Sequence, residues 1–87
     1  SSTGDDGYHT VFFDPQEGKI NDTEGVFMVS VLDGKRIPLS SIPIPTYEGH
    51  TFLGWYTDKS NVNAGKFTDL TSVVSDLKLY ARYSIDN

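Results

Sequence analysis

The chain has 87 residues with seven basic and twelve acidic side chains, a net charge of −5, and is long enough for one domain with a modest core. That charge disfavours phosphate backbones and anionic lipid heads. The absence of cysteine removes disulfide scaffolds, thiolate metal sites and cysteine nucleophiles together.

In chain order, SSTGDDG (1–7) holds nothing worth burying and reads as a linker, and a start at Ser1 reads as a segment of a longer parent. YHTVFFD (8–14) alternates, is rich in β-branched and aromatic residues and stops at Asp14-Pro15, which predicts a strand. PQEGKINDTEG (15–25) is polar and predicts a long hairpin loop. VFMVSVL (26–32) predicts a second strand with both faces partly apolar, closed by Asp33-Gly34. RIPLSSIPIP (36–45) carries three prolines, so it predicts an extended or turn-rich crossing whose Ile37, Leu39, Ile42 and Ile44 pack inward.

HTFLGWY (50–56) is the third predicted strand, and the polar TDKSNVNAGK (57–66) ends it. FTDLTSVVSD (67–76) spaces Phe67, Leu70 and Val73/Val74 by three and four, which predicts one or two helical turns. LKLYARY (77–83) sets Leu77, Leu79, Ala81 and Tyr83 against Lys78, Tyr80 and Arg82, a half-buried last strand, and residues 85–87 form a tail. The expected fold is therefore one small α+β, mainly β domain over 8–84, with about four strands and one short helical turn.

Catalytic chemistry finds little support. His9 and His50 each open a predicted strand and need a carboxylate brought beside them to form a metal or acid/base site. The acidic residues, Asp22 and Glu24 in the 15–25 loop included, lack the spacing of a calcium loop. No serine lies in a nucleophile elbow, and no glycine run matches a nucleotide loop. The basic residues are dispersed along the chain, so a basic patch with interleaved aromatics is not expected, and neither is nucleic-acid binding. No run is long enough to span a bilayer as an apolar helix, so no membrane insertion is expected. No cofactor, no metal and no enzymatic activity are expected either.

Two stretches carry a more specific signal: EGHTFLGWYTD (48–58) and VSDLKLYARY (74–83). Together with HTVFFD and the strand ending in DGK, they make the chain resemble the Listeria–Bacteroides repeat, or internalin B repeat, from about Tyr8 to Tyr83. The family has a G-[YH]-T-F-x-G-W-Y-x-D core and a T-x-x-x-L-Y-A-[KR]-[WY] ending. The resemblance implies a β-grasp-like, ubiquitin-related module of secreted or wall-attached bacterial proteins, a spacer and interaction unit in adhesion. Its partners would be a host or bacterial surface protein, or neighbouring repeats. It implies fold-defining roles for Phe52, Gly54, Trp55, Tyr56, Leu79, Tyr80 and Tyr83, and no catalytic residues.

Strand alternation adds a candidate partner surface. If Val11, Phe13, Phe27, Val29 and Val31 point inward, then Phe12, Val26 and Met28 point outward, joined by Leu53 and Tyr80. The plainer alternative is that the helical turn or the proline-rich crossing covers them. A carbohydrate-binding module stacking sugars on Trp55, Tyr56 or Tyr80 is the second functional reading. Phe52 and Trp55 are three apart, so a regular strand would send them to opposite faces, whereas a bulge at Gly54 lets both enter one core.

Overall fold

A computed structural model describes residues 7–57 and 65–84. Residues 1–6 of the expected 1–7 linker, the tail 85–87 and most of the polar stretch after the third long strand lie outside them. Among the described residues four long strands form where alternation predicts them: β1 (Tyr8–Asp14), β2 (Phe27–Leu32), β4 (Phe52–Tyr56) and β7 (Leu77–Tyr83). Three two-residue strands accompany them: β3 (Lys35–Arg36), β5 (Lys66–Phe67) and β6 (Ser72–Val73). The main sheet runs β2-β1-β7-β4-β5, while β3 and β6 pair separately.

The centre of the sheet is a parallel pair, β1 with β7, in register Val11 to Leu77 and Phe13 to Leu79. A parallel pair cannot be closed by a tight turn; here every other element lies in the connection between its two strands. Antiparallel β2 and β4 flank the pair. Alternation then sorts the side chains. Val11, Phe13, Val31, Trp55, Phe67, Val73, Leu79 and Ala81 are buried on the inner face, with Ile20 and Ile37 plugged in from the loops. Phe13 is the hub, its ring 4.9 Å from Trp55 and 6.1 Å from Phe67, both edge-on.

The bulge expected in β4 is present. Phe52 faces Tyr83 and Gly54 faces the adjacent Arg82, so Leu53 is the extra residue without a partner. The slip returns Trp55 to the side of Phe52, and their rings meet at 5.4 Å. Trp55 is 2% exposed, and its indole N–H donates to the Pro43 carbonyl at 2.9 Å. The proline-rich crossing thus lies on the inner face, over the core.

The helical turn expected within 67–76 does not form there. Thr68 and Thr71 capture the backbone instead: the Thr71 hydroxyl accepts from Thr68 N (3.1 Å), and the Thr68 hydroxyl accepts from Leu70 N (3.2 Å). They close a turn between β5 and β6 that buries Phe67 and Val73 and leaves Leu70 and Val74 exposed. Among the described residues the short helical turn is a 3-10 turn at Leu39–Ser41, inside the crossing. Leu39 and Ile44 are exposed there, contrary to expectation, while Ile37 is buried and Ile42 half-buried. The 15–25 loop carries its own small hairpin, with Ile20 and Thr23 exchanging both backbone bonds and positive φ at Asn21 (53°) and Asp22 (62°).

Candidate partner surface

The outer face of the sheet is built by the residues that alternate with the core. Phe12 stands opposite Met28 on β2 and Lys78 on β7. Phe12, Val26 and Met28, with Leu77, Lys78 and Asp76, line a shallow open hollow of about 490 Å³. Met28 is 63% exposed, Val26 is exposed and Phe12 half-buried. The crossing covers the opposite face, so it does not hide them. Tyr80, also half-buried, lies on the same outer face between Asp14 and Tyr56. Leu53, on the bulge, is exposed but sits across β7 from the hollow and does not line it. Four of the five candidate residues thus share one face, and three of them one hollow.

Beside that hollow the structure assembles a strip that the dispersed basic residues did not suggest. Lys78, Tyr80 and Arg82 alternate onto the outer face of β7, and Tyr56 and Lys66 join them across β4 and β5. The Lys78 ammonium lies 5.7 Å from the Tyr80 ring centre, and the Arg82 guanidinium 5.3 Å from that of Tyr56. Each contact is worth about 0.5–1 kcal/mol at an exposed site. The i, i+2, i+4 pattern of KLYAR was the available signal; cross-strand neighbours supply the rest.

The two histidines are kept apart. His9 opens β1, its Nε2 2.8 Å from an Asp33 oxygen and its Nδ1 3.8 Å from Asp76, near the start of β7. His50 lies near the end of β7, stacked on Tyr47 at 4.1 Å and donating from Nδ1 to the Ser84 carbonyl at 2.6 Å. Among the described residues both bond to a carboxylate or a carbonyl, and neither bonds to a hydroxyl. Among the described residues no group of three or more His, Asp or Glu side chains is placed to hold a metal.

At that second end Tyr83 ties three segments together. Its hydroxyl donates to the Pro15 carbonyl at 2.8 Å, and its ring meets Tyr47 edge-on at 5.1 Å. Gly18 passes so close that an alanine Cβ would collide with the Tyr83 hydroxyl and lie 2.6 Å from the Thr46 carbonyl. Burial, reinforced by the negative charges of Glu17 and Asp14 and by Tyr47, pushes the Tyr83 phenol up to about 12. The phenol stays protonated and serves as a structural donor.

A family model for the Listeria-Bacteroides repeat domain matches residues 9–82. Two relatives from Evansella cellulosilytica also match. One, named "Putative membrane protein", is 48% identical over 44 residues, covering 49% of this chain and 6% of that protein. The other, named "Putative Gly-rich membrane protein", is 36% identical over 66 residues, covering 75% of this chain and 8% of its own length. The chain therefore spans less than a tenth of either relative. Among the described residues no helix is long and apolar enough to cross a membrane.

Proposed function

This chain belongs to the Listeria-Bacteroides repeat family, and on that premise we propose that it is a non-enzymatic extracellular module of a bacterial surface or secreted protein, spacing and contacting other proteins in adhesion. The observation that carries the reading is the outer hollow of Phe12, Val26 and Met28, an apolar group left open on a domain whose buried polar inventory is empty among the described residues. We take the mixed sheet, with its central parallel pair and β2-β1-β7-β4-β5 order, as a β-grasp-like arrangement.

A second reading, sugar binding, keeps only part of its platform. Trp55 is core and cannot stack on a ligand. Tyr56 and Tyr80 remain half-exposed, flanked by Arg82 and Lys78. Two assays on the 87-residue chain separate the readings. The adhesion reading expects no turnover in a broad hydrolase and transferase screen, and no tyrosine shift on adding glycans. Turnover abolished by one substitution would overturn it, and glycan-dependent shifts at Tyr56 and Tyr80 would replace it with the second reading.

A further inference from the structure

Strand β2 is an edge of the main sheet, hydrogen-bonded on one side to β1. Among the described residues none of its backbone groups bonds to any other segment. In an antiparallel ladder alternate residues of an edge strand aim their N–H and C=O groups outward. Natural edges are normally guarded by charges, prolines or bulges. Val26–Leu32 has no charge, proline or glycine, and the pairing of Phe27–Leu32 with β1 is regular throughout.

The edge is apolar on both faces. Val26, Met28 and Leu32 are exposed on the outer side, and Phe27, though turned to the core side, is still 39% exposed. A groove lined by Phe27, Met28, Val29, Ser41, Ile42 and Pro43 runs beside it, and Met28 also lines the hollow of Phe12 and Val26. A strand added here needs apolar side chains on both of its own faces, and VFMVSVL is such a strand.

Charge supplies the direction. Asp22 and Glu24 precede β2, and Lys35 and Arg36 follow it; all four are exposed, and none forms an ion pair among the described residues. Parallel pairing of two copies would set each charge near its own like. Antiparallel pairing brings the acidic end of one strand to the basic end of the other, at both ends, by two-fold symmetry. Opposite residues must share a face, which Val29 against Val29 satisfies. Phe27 then meets Val31, and Met28 meets Ser30.

We propose that β2 is a self-association edge, through which two copies of this chain pair antiparallel into one continuous sheet, with Asp22 and Glu24 of each copy against Lys35 and Arg36 of the other. This rests on the reading of the chain as an interaction module, and names a second copy as its partner. Such pairing buries four exposed apolar side chains per copy and satisfies the open ladder.

The test is sedimentation equilibrium of the 87-residue chain from micromolar to millimolar concentration, with amide exchange read residue by residue. The expected result is a monomer–dimer equilibrium in which exchange slows within β2 as concentration rises and not at β5. Lys35→Glu with Arg36→Glu should weaken dimerisation at least tenfold, and so should Glu24→Lys with Asp22→Asn, asparagine being tolerant of the positive φ at that site. Mixing the two variants should restore association, which also shows that both are folded. A chain monomeric to millimolar concentration, dimers that protect another segment, or charge variants that fail to complement would each overturn the proposal. None of these outcomes creates turnover, so the non-enzymatic reading would survive them.

Discussion

Gly54→Ala probes the bulge that lets Phe52 and Trp55 share one core. Gly54 has φ +154°, a conformation that side-chain-bearing residues rarely adopt. An alanine Cβ there would sit 3.0 Å from Lys66 Cε and 3.4 Å from a Tyr56 ring carbon. The lysine contact is the flexible stem of an exposed side chain and can swing away at little cost. The backbone term is the larger one, about 1–3 kcal/mol for a strained residue outside the usual regions. A domain of this size holds roughly 4–13 kcal/mol in all, and each kcal/mol is worth roughly 4–8 °C in Tm. Thermal unfolding followed by tryptophan fluorescence should therefore show Gly54→Ala melting at least about 4 °C below the parent. Adding Lys66→Ala should leave that loss in place. If Gly54→Ala melts with the parent, or if Lys66→Ala rescues it, the strain is not in the bulge and the reasoning fails.

Tyr83→Phe removes one of the two donors to the Pro15 carbonyl, the Gly18 N–H being the other, and should cost about 0.5–1.5 kcal/mol at neutral pH by denaturant titration. Because folding raises this phenol from 10 to about 12, the unfolded chain loses its proton first. The stabilisation is complete below pH 10 and is lost as pH rises towards 12. The parent should accordingly lose stability over that window more steeply than Tyr83→Phe; equal slopes would assign the alkaline loss to other groups. Gly18→Ala should destabilise at least as much as Tyr83→Phe, and the double variant should fall short of the sum because the alanine already displaces the hydroxyl; additive effects in the same titration would contradict that contact. Trp55 fluorescence in the folded chain should resist iodide quenching, as its 2% exposure requires, and quenching comparable to the unfolded chain would refute its placement in the core.

The long strands were legible because alternation over five to seven residues is a strong signal and because the strands here have one buried face. YHTVFFD and LKLYARY announce themselves, and so does the bulge, since Phe52 and Trp55 at odd spacing both ask for a core. The short segments were not legible. In 67–76 the spacing of Phe67, Leu70 and Val73 suits a helix, but two threonine hydroxyls two to three residues from competing amides close a turn first. In the crossing, Leu39 and Ile44 are as apolar as Ile37 and Ile42, yet Leu39 opens the 3-10 turn and is exposed with Ile44 while Ile37 reaches the core. Ile20 was read as part of a polar loop, yet the Asn21-Asp22 turn folds it inward.

The partner surface divides in the same way. Alternation alone put Phe12, Val26 and Met28 on the outer face, and the register of β1 with β2 and β7 gathers them into one hollow. Leu53 does not join them, because β4 lies across β7 from β1 and β2. The Lys78–Tyr80–Arg82 strip needed β4 and β5 placed beside β7 before Tyr56 and Lys66 made it a patch. Residues far apart in sequence become neighbours only through strand order, which composition does not carry.

Met28 offers the most direct test of the claim that this face is a contact surface. It is the only methionine in the chain and is 63% exposed, so dilute peroxide should oxidise it readily in the dilute 87-residue chain. The measurement is the rate of Met28 sulfoxide formation, by peptide mass spectrometry, in the 87-residue chain at micromolar concentration and in the same chain assembled at millimolar concentration. The account predicts clear protection of Met28 in the assembled protein. Equal rates in the two settings would contradict it.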